Sequence, residues 1–253
     1  MSDALDLPPG FTLLRLAEID STNEEARRLG EAGAAAYTFV WAERQSGGRG
    51  RRGRSWISPV GNGYCSLLLR PDVAPGVAAQ VSFVAALAVA ETIASLLPVG
   101  RKVACKWPND VLVDGLKISG ILLESRMGRQ PGGRVDWLVV GVGINIASFP
   151  PGTDYPATAL HEAGGAAPVE QVLEAYAVRM AHWLKIWRDD GFAPVRQAWL
   201  RWADGLGGKV VVRLADRTIE GIFSALDDSG ALILSLPDGR ERTVTAGDVF
   251  PAA

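Results

Sequence analysis

Residues 44–70 carry no acidic side chain, and within them Arg49, Arg51, Arg52 and Arg54 fall inside six positions. The segment reads Gln45-Ser46-Gly47-Gly48-Arg49-Gly50-Arg51-Arg52-Gly53-Arg54-Ser55-Trp56. A guanidinium presents a planar fork of donors that matches two phosphate oxygens at once, and it does not lose its charge. Glycines among the arginines let backbone N–H groups approach an anion closely and converge on it. The indole of Trp56 offers a face on which a purine can stack. These parts suit a nucleotide, with phosphates on the arginines and the base on the tryptophan. The same composition also suits a solvated basic loop or a sequence-independent RNA contact. It is not a Walker loop, because the Gly-Lys-Ser/Thr ending is absent.

A second group lies downstream, where Lys106-Trp107-Pro108-Asn109-Asp110 runs into an apolar triplet, then Asp114-Gly115, then Leu116-Lys117-Ile118-Ser119-Gly120. Trp-Pro-Asn-Asp is a turn entering a strand, and Asp-Gly between apolar runs signals a hairpin. Lys117 therefore opens a strand directly after a turn, where a rigid element can aim its ammonium at an anion. Each residue also has an ordinary reading: a solvated lysine, and aspartates that form turns. A third group, Val139-Val140-Gly141-Val142-Gly143-Ile144-Asn145-Ile146, reads as a buried strand with two glycines and a late asparagine. Close backbone packing explains such glycines. They are no dinucleotide fingerprint, because the third glycine and following helix are missing. Ser21-Thr22-Asn23-Glu24 matches the capping-box pattern at a helix start.

These residues need elements to hold them. Residues 11–19 and 37–42 read as strands, with a helix between them running through Arg28. Residues 46–54, without an apolar side chain, form a loop expected to be mobile when empty. Residues 64–69 read as a strand and 77–97 as one long core helix. Short strands follow at 103–105, 111–113, 118–124 and 137–142, then helices at 169–188 and 193–202. After Gly205-Leu206-Gly207-Gly208 the texture changes to short strand candidates at 209–214, 218–225, 231–234 and 242–245. Asp228-Ser229-Gly230 and Pro237-Asp238-Gly239 supply turns between them. The expected architecture is an α/β (α+β) mixed-sheet domain over 1–205, followed by a small all-β domain over 206–253.

The whole composition narrows the choice further. With 48% hydrophobic and 21% charged residues, the chain of 253 residues is expected to bury a real core. A net charge of −2 gives no global pull toward nucleic acid or anionic lipid, so any basic site is local. Two cysteines, Cys65 and Cys105, are too few for a disulfide framework, and two histidines too few for a histidine-rich metal site. Residues 1–10 lack a secretory pattern. The apolar stretch 77–97 contains Gln80, Ser82, Glu91 and Thr92 and reads as a buried helix. A cytoplasmic protein without a membrane partner is expected.

Taken together, the motifs resemble the catalytic domain of biotin–protein ligases. Gly48-Arg49-Gly50-Arg51-Arg52-Gly53-Arg54-x-Trp56 is similar to that family's biotin- and adenylate-binding loop. Lys106-Trp107-Pro108-Asn109-Asp110 with Lys117 and Gly120 resembles its second signature. Gly141-x-Gly143-Ile144-Asn145 resembles the third, and Ser21-Thr22-Asn23 the first. Order and spacing agree over about residues 11–150, and the terminal β segment resembles the family's SH3-like barrel.

The resemblance implies ligand roles. Biotin would be bound by Ser21, Thr22, Asn23 and Gln45 at its ureido ring, and by Gly48, Arg49, Gly50, Arg51, Lys117 and Gly120. ATP and the adenylate would be bound by Arg51, Arg52, Arg54, Trp56, Lys106, Asn109, Lys117 and Asn145. Lys117, Arg49 and Arg51 would stabilise charge at the reacting phosphate, and Asp110 would orient or deprotonate the incoming amine. ATP and biotin are the implied substrates, Mg²⁺ comes with the nucleotide and no metal is fixed by the protein. The implied partner is a biotin carboxyl carrier protein, and a homodimer fits relatives. With only about ten residues before the first strand, no N-terminal DNA-binding domain and no nucleic-acid partner are expected. The neighbouring lipoate ligases and octanoyltransferases share the fold; a transferase would need Cys65 or Cys105 as nucleophile, and both lie in apolar runs that read as core.

Overall fold

The computed structural model describes residues 5–128, 133–152, 155–214 and 216–251. Its larger part is a seven-stranded sheet in the order β1-β2-β3-β7-β6-β5-β4, in which β1 (Thr12–Ile19) and β2 (Thr38–Gln45) are parallel. The others are antiparallel: β3 (Gly63–Leu69), β4 (Val103–Lys106), β5 (Asp110–Val113), β6 (Leu116–Met127) and β7 (Val135–Ile144). This mixed sheet carries different cores on its two faces. In β2, Phe39 and Trp41 join the main core while Val40 joins a small cluster with Ala26, Leu68, Trp137 and Val139. That alternation is the period-two consequence of strand geometry.

The main core lies under α3 (Val81–Leu96), α4 (Val169–Asp190) and α5 (Phe192–Trp202), and the small cluster under α1 (Thr22–Glu31). The expected single helix over 77–97 is two elements, α2 (Pro75–Ala79) and α3, meeting at Gln80. Gln80 is buried and used: its Oε1 accepts from Trp187 Nε1 at 3.0 Å. Pro75–Leu96 is long and apolar enough for a membrane span by length and composition, yet 72% of its apolar window is buried inside the protein. Core packing explains its apolarity.

The expected capping box does not form. Ser21 sits at the N-cap in an extended conformation but makes no side-chain cap bond. Its backbone N–H donates to Asp20 Oδ1 at 2.7 Å, and Glu24 turns away to pair with Arg27 at 2.7 Å. The polar residues at the start of α1 are therefore directed elsewhere.

The C-terminal part is a second, antiparallel sheet of five strands in the order β11-β10-β9-β8-β12. Its strands are β8 (Lys209–Arg213), β9 (Thr218–Leu226), β10 (Leu232–Ser235), β11 (Glu241–Val244) and β12 (Asp248–Pro251). Four were expected; β12 is the addition. It is short and ends at proline, so it carries little strand signal, and its pairing with β8 settles it. This sheet is docked tightly onto the first. Trp107 Nε1 donates to Gly230 O at 3.0 Å, and a Cβ at Gly230 would lie 2.6 Å from the Phe83 ring.

Candidate active site

A cavity of about 400 Å³ opens between the start of α1, the end of β2, the middle of β6 and β7, and the arginine–glycine segment. One end is neutral and buried. Thr22 donates through its backbone N–H to Gln45 Oε1 at 2.8 Å, and Gln45 Nε2 donates to Ser58 Oγ at 2.9 Å. Asn23 Nδ2 donates to Glu124 Oε2 at 2.7 Å, so its amide is engaged by the protein. Ser21, Thr22 and Asn23 are all at most 5% exposed. The side chains of Thr22 and Asn23 are hydrogen-bonded within the protein, while among the described residues no protein partner engages the Ser21 hydroxyl, which lines the cavity.

The glycines of β7 make the walls. A side chain at Gly141 would overlap Asn23 Oδ1, and a Cβ at Gly143 would lie 2.5 Å from Trp56 Cε2. Gly120 on β6 serves the same ring, 3.0 Å from a Cβ built there. The glycines therefore seat the asparagine and the indole.

The other end of the cavity is cationic. The arginine–glycine segment is expected as an irregular loop; it is a small hairpin instead, bridged at Gln45–Ser58 and Arg49–Ser55 and closed by a 3-10 turn over Arg51–Gly53. Arg52 takes φ +55° and Gly53 φ +72°, the left-handed region that glycine tolerates best. Arg51 Nη1 donates to Asn109 Oδ1 at 2.9 Å, while Asn109 Nδ2 is tied to Ile121 O at 2.7 Å. Burial pushes the Arg51 pKa down, against the pull of Asp248. Arg49 forms an ion pair with Glu24 and has Glu124 Oε1 3.8 Å away.

Lys117 projects into the cavity with Nζ 2.6 Å from Asp110 Oδ1 and 5.5 Å from the centroid of Trp56. Its backbone is pinned by bonds to Pro156 O at 2.8 Å and from Thr158 N at 2.9 Å. The visible work of Asp110 is to hold this ammonium. Asn145 is buried on the cavity wall, with Nδ2 donating to Thr158 O at 3.0 Å.

Most expected residues converge here: Ser21, Thr22, Asn23, Gln45, Arg49, Gly50, Arg51, Arg54, Trp56, Asn109, Asp110, Lys117, Gly120 and Asn145 all line the one cavity. Gly48, Arg52 and Lys106 do not. Gly48 is packed beneath the hairpin, where a Cβ would meet Ser58 Oγ at 2.6 Å. Arg52 turns to Asp248 at 3.2 Å. Lys106 lies over the rings of Tyr155 at 4.4 Å and Phe250 at 4.9 Å, and burial pushes its pKa down.

Sequence reasoning missed Asp248, which comes from β12 of the second sheet to meet three arginines. Its oxygens lie 3.2 Å from Arg52, 3.3 Å from Arg54 and 4.0 Å from Arg51. Tyr155 was missed as well; it stacks on Phe250 at 5.3 Å and lines the cavity. No local signal marks either residue, because their relevance depends on how the two sheets dock.

The Biotin/lipoate A/B protein ligase family matches residues 61–201, and the Biotin protein ligase C terminal domain matches residues 205–250. The biotin–[acetyl-CoA-carboxylase] ligase of Paracoccus denitrificans is 43% identical over 93% of this chain and 98% of its own length. The bifunctional ligase/repressor BirA of Escherichia coli is 32% identical over 95% of this chain and 74% of its own length. Among solved structures, the biotin protein ligase of Aquifex aeolicus in complex with biotin and ATP superposes with a TM-score of 0.80. It is 30% identical and covers 94% of this chain and 97% of that one. The chain belongs to the biotin/lipoate A/B protein ligase family. Within that family its likeness is to the biotin–protein ligases, and its second sheet is their SH3-like C-terminal domain.

Proposed function

We propose that this biotin–protein ligase works by two steps in the one cavity. In the first, a biotin carboxylate oxygen attacks the α-phosphorus of ATP. The bond from that phosphorus to the bridging oxygen breaks, and pyrophosphate leaves with biotinyl-5′-AMP formed. In the second, the neutral ε-amine of a carrier lysine attacks the acyl carbon, its nitrogen gives up one proton to solvent as the amide forms, and AMP departs with the electron pair of the broken C–O bond.

One observation carries this reading. A neutral hydrogen-bonding end (Thr22, Gln45) and a cationic end (Arg49, Arg51, Arg54) share one cavity, with Lys117 between them on a pinned strand. A cyclic urea needs fixed donors and acceptors, and leaving one buried and unpaired costs about 1–3 kcal/mol. A carboxylate attacking a phosphate needs fixed positive charge where negative charge accumulates. Lys117 and Arg51 would supply it, with Asp110 and Asn109 holding them in place. Trp56 would lie beside the adenylate, Asn109 and Asn145 near its nucleotide part.

Mg²⁺ belongs to the same proposal as part of the nucleotide substrate. The cavity carboxylates Asp110 and Asp248 are already paired with cations, and among the described residues no group of three or more His, Cys, Asp or Glu side chains could hold a metal ion. That donor set fits an ion carried in by the phosphates, screening their charge, rather than a resident metal. The carrier is proposed to be a biotin carboxyl carrier domain, in a cytoplasmic reaction supplied with ATP. A homodimer is part of this reading too, tested by light scattering.

A thioester-forming acyltransferase finds no support. Cys65 and Cys105 are at most 1% exposed, and burial pushes both thiols up, away from the thiolate form such chemistry needs. The test incubates the protein with biotin, Mg²⁺ and radiolabelled ATP, with lipoate and octanoate in parallel. Biotin-dependent adenylate and pyrophosphate are expected. Product with lipoate alone would move the chain to the neighbouring branch, and no adenylate from any acid would overturn the proposal.

A further inference from the structure

Ser66 lies in the middle of β3, fully buried, and does not line the cavity. Its Oγ is 2.6 Å from Asn23 Oδ1 and 2.8 Å from Thr22 Oγ1. The Asn23 amide is oriented from its other side, where Nδ2 sits 2.7 Å from the Glu124 carboxylate and 3.4 Å from Leu122 O. Both of those partners only accept, so Nδ2 faces them and Oδ1 faces Ser66. Oδ1 also only accepts, which places the single Ser66 proton on that bond.

The direction then propagates. Ser66 Oγ is left as an acceptor for the Thr22 hydroxyl, and Gln45 Oε1, 3.1 Å from Thr22 Oγ1, is a second acceptor inside the protein. The Thr22 proton is thus drawn inward. Thr22 lines the cavity, so its hydroxyl oxygen offers lone pairs outward. Asn23, with its amide hydrogens engaged and one bond accepted at its oxygen, serves as a strut. The seat for that strut is Gly141, where any side chain would collide with Asn23 Oδ1.

We propose that Ser66 is the positioning residue of the neutral end. It holds Asn23 and Thr22 so that Thr22 accepts from a ring N–H, and the pocket thereby selects acids bearing an N–H-donating ring over those with an apolar ring or chain. The proposal rests on the biotin-ligase reading of the site.

The test uses the full chain and compares Ser66→Ala, Asn23→Ala and the double variant in the adenylate assay, with thermal melting beside it. Removing Ser66 strands a buried acceptor, so KM for biotin is expected to rise about tenfold while KM for ATP and kcat stay within about twofold. Because both residues act through one network, the double variant is expected to be no worse than the weaker-binding single variant. The preference for biotin over octanoate, read by competition, is expected to fall by the same factor. An unchanged KM for biotin in a folded Ser66→Ala protein, an equal rise in both KM values, or additive losses would overturn the proposal. Should Ser66→Ala lose its cooperative melt, Ser66→Cys, whose thiol is a weaker donor, carries the comparison with a smaller rise in KM for biotin expected, and an equal rise in KM for ATP there would overturn the proposal too. Wild-type protein that makes no biotinyl-adenylate would sink the proposed function instead, so the two failures are distinct.

Discussion

The two ends of the cavity are built from different materials. At the neutral end, Thr22, Asn23, Gln45 and Ser66 are held by short, directional bonds between buried and part-buried groups. At the cationic end, partly exposed arginines face carboxylates from separate elements, Glu24 on α1 and Asp248 on β12, while Glu124 on β6 is shared between Asn23 and Arg49. Directional bonds in a dry site discriminate shape, because a wrong partner leaves a polar group unpaired. Ion pairs at a wet surface are weaker and salt-sensitive, yet they hold several like charges together until a stronger anion arrives. One end is suited to reading a ring, the other to gathering phosphates.

Lys117→Ala removes the cation between the two ends and leaves Asp110 unpaired. The rate of biotin-dependent pyrophosphate release should fall about 10²- to 10³-fold, measured in single turnover. A loss below about fivefold would mean that the arginines, and not Lys117, carry the charge stabilisation. Gly141→Ala forces a methyl into Asn23 and should act on the neutral end alone. Calorimetry should show biotin affinity lost while nucleotide affinity persists, with about 1–3 kcal/mol of stability lost by overpacking.

Asp248→Asn acts on the opposite end. Without that carboxylate, Arg51, Arg52 and Arg54 repel one another, and KM for ATP should rise about fivefold while KM for biotin stays level. Added salt should shrink the difference from wild type, since it weakens exposed ion pairs. A KM for biotin that rises in parallel would show that the two ends are not independent. The smallest effect is expected from Cys65→Ala with Cys105→Ala. Adenylate formation should stay within about twofold, with a stability cost of about 1 kcal/mol per site. Abolished activity would revive the acyltransferase alternative. The native protein should also resist alkylation at neutral pH, because burial holds both thiols protonated.

Much of the site was legible in linear order. Arg49 to Arg54, Asn109, Asp110 and Lys117 cluster in sequence because a hairpin and a turn each present several side chains at once. The strands of the sheet were legible too, to within a few residues at their ends, since runs of aromatic and β-branched residues such as Phe39, Val40 and Trp41 suit a pleated strand buried on both faces. The capping box misled, because Ser21 and Glu24 have better partners than the helix end. The break at Gln80 was hidden inside an apolar run whose neighbours on α3 are mostly buried.

By itself, then, the sequence determined which residue types are present, their local turns and hairpins, and the family those motifs belong to. These are short-range properties: φ preferences at glycine and proline, periodic burial, and charge density along the chain. Only the tertiary structure decided what lies opposite what. It brought Asp248 across from the second sheet to the arginines, placed Ser66 behind Asn23, and put Gly141 and Gly143 where an amide and an indole need space. It also turned Lys106 and Arg52 away from the cavity toward Phe250 and Asp248. Partnership between groups far apart in the chain depends on sheet order and domain docking, which arise from the sum of many burial contacts. No residue's own identity records it.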